Sequence, residues 1–130
     1  MSLQPLQGVL VVSLEHAVAA PYCSSRLANA GARVIKIERP EGDFARDYDR
    51  EVYGESSYFV WINQGKESLA LDLKREADRQ RMRELLAQAD AAWATTGCCH
   101  MARARLSPRA RQIWRNLFIC LICQDLRVEA

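Results

Sequence analysis

Gly8-Val9-Leu10-Val11-Val12-Ser13-Leu14, followed by Pro21 and then by Gly31-Ala32-Arg33-Val34-Ile35-Lys36-Ile37-Glu38, is the stretch that decides the fold. The first run is continuously apolar and β-branched, the pattern of a strand covered on both faces, and such strands belong to parallel sheets. Pro21 has a fixed φ and no N–H, which suits the first position of a helix, and that helix should run to about Ala30. Gly31 can take the left-handed conformation that ends it, so that Arg33 to Glu38 returns as a second strand. The connection is long enough for a βαβ crossover.

The residues from Pro40 to Gly54 are rich in charge, Gly and Tyr without a sustained period, and they read as a surface excursion. Ser68 to Leu73 reads as a third strand. Met82, Leu85, Leu86 and Ala89 then recur at helical spacing among Arg, Glu and Gln, which predicts a helix from about Arg75 to Gln88. Ala91 to Ala94 fits a fourth strand, Ser107-Pro108 an N-cap and first helical residue for a helix through Arg115, and Leu117 to Cys123 a fifth strand. The expected class is α/β, a mostly parallel sheet flanked by helices, with ligands beyond the carboxyl ends of the strands.

With 130 residues, nearly half of them apolar, the chain suffices for one core. The start lacks a basic leader, and the longest apolar runs are too short to span a bilayer, so the expectation is a cytoplasmic protein with no membrane association. Five cysteines, mostly gathered in the last third, do not resemble a secreted disulfide framework and read as reduced thiols.

Pro5-Leu6-Gln7-Gly8-Val9, Pro21, Gly31 through Pro40, Gly42-Asp43 and Arg46 together resemble the opening of family III CoA-transferases, the CaiB/BaiF type. Ser57-Tyr58-Phe59, Asn63, Lys66, Ser68, Leu71 through Lys74, Ala89-Asp90 and Leu106-Ser107-Pro108 continue the pattern in order. The texture around Ala17 to Ser25 and Gly54 to Asn63 is most similar to the mesaconyl-CoA transferase branch. The resemblance implies a Rossmann-like large domain, of which residues 1–130 are the N-terminal part, altered after about residue 91. It implies coenzyme A as ligand, acyl-CoA and a small carboxylic acid as substrates, a homodimer or self-association, and neither metal nor nicotinamide. Family members use an aspartate nucleophile that forms a mixed anhydride and then an enzyme-bound thioester. The resemblance puts that aspartate beyond Ala130, so no catalytic residue is expected within the chain and the chain alone is expected to be inactive. Asp43, Asp72 and Asp90 are not promoted to that role. A non-catalytic remnant or a partner subunit that retains only the fold is the alternative.

His16 precedes a helix N-terminus, where N–H groups and the dipole favour phosphate or carboxylate. By resemblance His16, Ala17, Val18 and Ala19 line the CoA site, Arg39 meets the nucleotide end, Leu71 packs near the adenine and Arg103 approaches the phosphates. A guanidinium at the end of a strand suits phosphate or base stacking, which supports Arg39, whereas any strand leucine would look like Leu71 and core packing is its better reading. Arg46, in the charged loop, is a weaker candidate. Thr95 to His100 departs from the family's Pro-Gly turn at the nucleotide, and the segment from Ile122 to Arg127 lacks the expected glycine.

Two other classes fit less well. Arg103, Arg105, Arg109, Arg111 and Arg115 occur in an interval without acidic residues, but the net charge is only +2 and no nucleic-acid-binding motif accompanies them. Nucleic acid is therefore not the expected partner. Cys98, Cys99, His100, Cys120 and Cys123 have the chemistry of a zinc set, yet alternation along a strand would turn Cys120 and Cys123 to opposite faces. Trp61, Trp93 and Trp114 read as core or dimer contacts.

Overall fold

The structure, a computed structural model, describes residues 4–16, 18–95 and 101–106, without the side chains of 93–95 and 101–106. Among these residues, five strands and three α-helices follow in the order β1 (Leu10–Leu14), α1 (Ala19–Asn29), β2 (Arg33–Glu38), α2 (Ser57–Asn63), β3 (Lys66–Ala70), α3 (Glu76–Gln88), β4 (Ala91–Thr95) and β5 (Met101–Leu106), with a 3-10 turn over Phe44–Asp47. They form one sheet in the spatial order β3-β2-β1-β4-β5. The first four strands are mutually parallel and β5 runs antiparallel to β4.

β1 is central, which explains its unbroken apolar character. Val11 and Val34 pack with Leu27 of α1 on one face, while Val12, Ile35 and Ile37 pack on the other with Leu71 and with Met82, Leu85 and Leu86 of α3. The fully buried side chains among these contribute about 1.5–3 kcal/mol each by leaving water, and the partly buried Met82, Leu85 and Leu86 contribute less. Lys36 and Glu38 alternate with Ile35 and Ile37, so they belong to the α1 face. Both are nevertheless buried.

Gly31 ends α1 as its position suggested, with φ +98°. Its N–H donates to the Ala28 carbonyl and the Ala32 N–H to the Leu27 carbonyl, the paired bonds of a Schellman stop. Pro21 is the third helical residue rather than the first, since Val18 is the N-cap. The missing N–H is harmless there too, because the first four N–H groups of a helix have no intrahelical acceptor.

One other local reading differs from the structure, and two segments to which the sequence assigned no element are regular. The third strand begins at Lys66, not Ser68, and ends at Ala70, while Leu71 and Leu73 pack on the core after the ladder has closed. The aromatic, β-branched stretch at Ser57–Asn63 is a helix: Ser56 Oγ accepts from the Phe59 N–H at 3.2 Å, and that cap outweighs the poor intrinsic propensity. After β4 the chain turns back as antiparallel β5, with Thr95 opposite Met101, where no strand was expected. The expected helix through Arg115 and strand from Leu117 lie outside the described residues, as do Cys98, Cys99, His100, Cys120 and Cys123.

Candidate functional site

Strand direction brings the carboxyl ends of β1 and β2 side by side, with Leu14 opposite Ile37. The chain leaves β1 towards α1 and leaves β2 into the loop that carries Gly42, Asp43 and Phe44. Between these two exits is a cleft of about 280 Å³, lined by Leu14, Glu15 and His16, by Ile37, Glu38 and Arg39, by Gly42, Asp43 and Phe44, and by Leu73. It lies beside the point where strand order reverses, between β1 and β4, the usual place for a ligand in an open α/β sheet. Ligand pockets commonly measure roughly 300–1,000 Å³, so this cleft has room for part of a large ligand rather than the whole.

His16 and Arg39, both exposed, meet at this cleft although 23 positions separate them. The His16 ring is 6.1 Å from that of Phe44. Val18 is 54 % exposed and Ala19 opens α1, a helix whose first turn has no acidic residue and whose N-cap makes no side-chain hydrogen bond. Its leading N–H groups therefore face the requirement for an external acceptor. Ala17 lies outside the described residues. Leu71 is 4 % exposed within the α3-side core, next to Ile37, where it supports the cleft floor rather than its surface. Arg103 is on β5, separated from β1 by β4, and its side chain is not among those described.

The carboxylates around the cleft are committed to cations. Glu38 accepts both Arg46 Nε and Nη2 at 3.0 Å, the Ser68 hydroxyl at 2.9 Å and the Asp43 N–H at 3.1 Å. Burial alone would raise its pKa, but the Arg46 and Ser68 hydrogen bonds and the nearby Lys36 hold it below the ordinary value. Asp43 behaves likewise: burial opposes ionisation, yet the Lys36 ammonium and the Ala45 N–H keep it an anion. Glu15 accepts from Lys66 Nζ at 2.8 Å and from Ser24 Oγ at 2.7 Å. Burial pushes the Lys66 pKa down, with Glu15 opposing. Arg46, a weak candidate from sequence, is spent on Glu38 and stacks 3.9 Å above the Phe59 ring.

This polar interior was not legible as a site in the sequence. Its available signal was Lys36, a charge between Ile35 and Ile37 in β2, together with the polar Asn63, Lys66 and Ser68 in close succession. Among the described residues, no group of three or more His, Cys, Asp or Glu is arranged to hold a metal ion, and no helix is long and apolar enough to cross a membrane.

Residues 6–122 match the family model described as CoA-transferase family III. An acetyl-CoA:oxalate CoA-transferase of Acetobacter aceti is 44% identical over 87 residues, covering 66% of this chain and 22% of the relative. The succinyl-CoA:mesaconate CoA-transferase of Haloarcula hispanica is 42% identical over 92 residues, covering 65% and 23%. Human succinyl-CoA:glutarate CoA-transferase is 35% identical over 91 residues, covering 68% and 21%. The chain thus spans less than a quarter of the length of these relatives. In three dimensions, a CAIB/BAIF family protein from Brucella suis superposes with a TM-score of 0.66 at 36% identity, over 70% of this chain and 25% of that one. A family pattern that runs through nearly the whole chain, on a fold shared with a solved member, establishes that this chain belongs to CoA-transferase family III.

Proposed function

We propose that this chain binds the nucleotide end of coenzyme A at the cleft between the β1 and β2 exits and does not itself supply the nucleophile for CoA transfer. The observation that carries the reading is the meeting of His16 and Arg39 at one cleft, with the uncapped start of α1 following His16 three residues along the chain. Arg39 offers a planar guanidinium to a phosphate or an adenine, and the first N–H groups of α1 offer donors and a positive dipole to a second phosphate oxygen. Val18 and Ala19 would give the ligand a small-residue approach to that helix end. Arg103 would add charge from the far side of β4.

The absence of a nucleophile is supported by the state of the cleft carboxylates. A carboxylate that attacks a thioester must be desolvated and unencumbered, whereas Glu15, Glu38 and Asp43 each hold a buried or half-buried cation. The relatives' names share small dicarboxylates, oxalate, mesaconate and glutarate, and we assign that class as CoA acceptor for the transfer to which this segment contributes. Self-association of the chain through its exposed aromatic surface completes the proposal.

The test is calorimetric titration with CoA, run beside a transfer assay from succinyl-CoA to oxalate or mesaconate. The expected result is weak, saturable CoA binding that Arg39→Ala diminishes, without turnover. Turnover by the purified 130 residues would overturn the assignment of the nucleophile, and CoA affinity unaffected by Arg39→Ala would overturn the assignment of the cleft.

A further inference from the structure

Below the cleft, Lys36 and Lys66 rise from the same face of neighbouring strands, each with only 2% of its side chain accessible. The three donors of an ammonium have three acceptors at Lys66: Glu15 Oε1 at 2.8 Å, the Pro21 carbonyl at 2.8 Å and Asn63 Oδ1 at 2.9 Å. Lys36 donates to Asp43 Oδ2 at 2.5 Å and to the same Asn63 oxygen at 3.3 Å. Asn63 completes its own bonding by donating its amide N–H to the Phe59 carbonyl at 3.0 Å. Glu15 belongs to the wall that follows β1, and Asp43 to the wall that follows β2. A single carboxamide oxygen therefore links the two walls through the path Glu15, Lys66, Asn63, Lys36, Asp43.

We propose that Asn63 is a positioning residue that couples the two walls of the cleft, so that the first turn of α1 and the Gly42–Phe44 loop are held, or released, together. The chemistry requires this residue type. Two buried ammonium groups balanced by two carboxylates already sum to zero, so a third acceptor between them must be strong yet uncharged, and an amide oxygen with two lone pairs serves both donors. An apolar group of the same size would leave each lysine one acceptor short, with like charges no longer bridged. Coupling of this kind sets the geometry of a site that Asn63 does not line. Its consequence for ligand affinity rests on the nucleotide reading above; the coupling itself does not.

Amide hydrogen exchange on the whole chain tests it, comparing wild type with Asn63→Leu and with the milder Asn63→Ser, alongside CoA titration. The reporters are Tyr22 and Cys23 for the α1 wall and Gly42, Asp43 and Ala45 for the other, with Val12 and Ile35 as references in the sheet. Both variants should speed exchange at the two walls in parallel, by about tenfold or more relative to the reference strands, and should weaken CoA binding by a comparable factor. Acceleration confined to one wall, at neither wall, or equal to that of Val12 and Ile35 would overturn the coupling. If wild type binds no CoA, the nucleotide reading fails, while the exchange comparison still decides whether Asn63 couples the walls.

Discussion

Lys36 Nζ lies 2.5 Å from Asp43 Oδ2, and the two side chains keep only 2% and 4% of their surface. The pair joins the middle of β2 to the loop that leaves it and fixes the height of the cleft wall. Removing one partner would leave a buried charge uncompensated.

Lys36→Met should therefore destabilise the chain by about 3 kcal/mol, the usual cost of breaking one side of a buried pair. Lys36→Met combined with Asp43→Leu should recover much of that loss, because two apolar groups carry no desolvation debt. Urea denaturation of the single and double variants checks both; additive losses would contradict the pairing.

Acid should loosen the same region. Asp43 and Glu38 have pKa values held below their ordinary 3.8 and 4.5, so their stabilisation is complete above those values and drains away as the pH falls through the folded ones. Asp49 is drawn down to about 2 by the Ser57 and Glu51 N–H groups and should keep these contacts until the pH nears that value. Thermal unfolding followed from pH 6 to pH 2 should show a midpoint that is flat to about pH 4.5 and then declines. Asp43→Asn should be less stable at neutral pH and decline less in acid.

Gly31→Ala should cost about 1–2 kcal/mol for the left-handed backbone alone. The φ is +98°, and an added Cβ would sit 2.5 Å from the Gln4 side chain. A stability equal to wild type in denaturant titration would contradict the Schellman stop.

The central strands were legible because β1 and β2 are buried on both faces, and continuous Val, Leu and Ile have few other destinations. Arg33 to Glu38 agrees with the structure residue for residue, and the helix expected from Arg75 is found from Glu76. At Ser57–Asn63 the aromatic composition concealed a helix whose start depends on the Ser56 hydroxyl and on the Asp49 carboxylate accepting from the Ser57 N–H. β5, Met101–Leu106, contains two arginines among short apolar residues, and its pairing with β4 is a tertiary choice that no local pattern announces. Of the site, the resemblance supplied His16 and Arg39. The network under them was hidden because Glu15, Lys36, Asn63 and Lys66 become neighbours only once three strands are aligned.

The exposed rings of Phe44, Tyr48, Trp61 and Tyr22 and the half-buried ring of Tyr58 form a chain in the order Phe44, Tyr48, Tyr58, Trp61, Tyr22 at centroid spacings of 5.4 to 6.2 Å. An aromatic stripe of this extent drives association in water. Size-exclusion chromatography with light scattering should detect concentration-dependent self-association that Trp61→Ser reduces. A monodisperse monomer at high concentration would contradict it.

Arg39→Ala should weaken CoA binding roughly tenfold, the effect of losing one charge-assisted hydrogen bond of about 1.5 kcal/mol at an accessible position. Wild-type affinity should also fall as salt rises, because exposed charges are screened. Titrations at two ionic strengths check both; identical affinities would point to apolar binding elsewhere.

Chemical-shift mapping of CoA on the isotopically labelled chain tests the nucleotide-binding cleft most directly. Saturable perturbations are expected to concentrate at residues 15–20 and 39–44, at the two exits of β1 and β2, with adenosine 3′,5′-bisphosphate reproducing most of them. Perturbations absent at millimolar CoA, or confined to the outer face of α3, would contradict the placement of the nucleotide at this cleft.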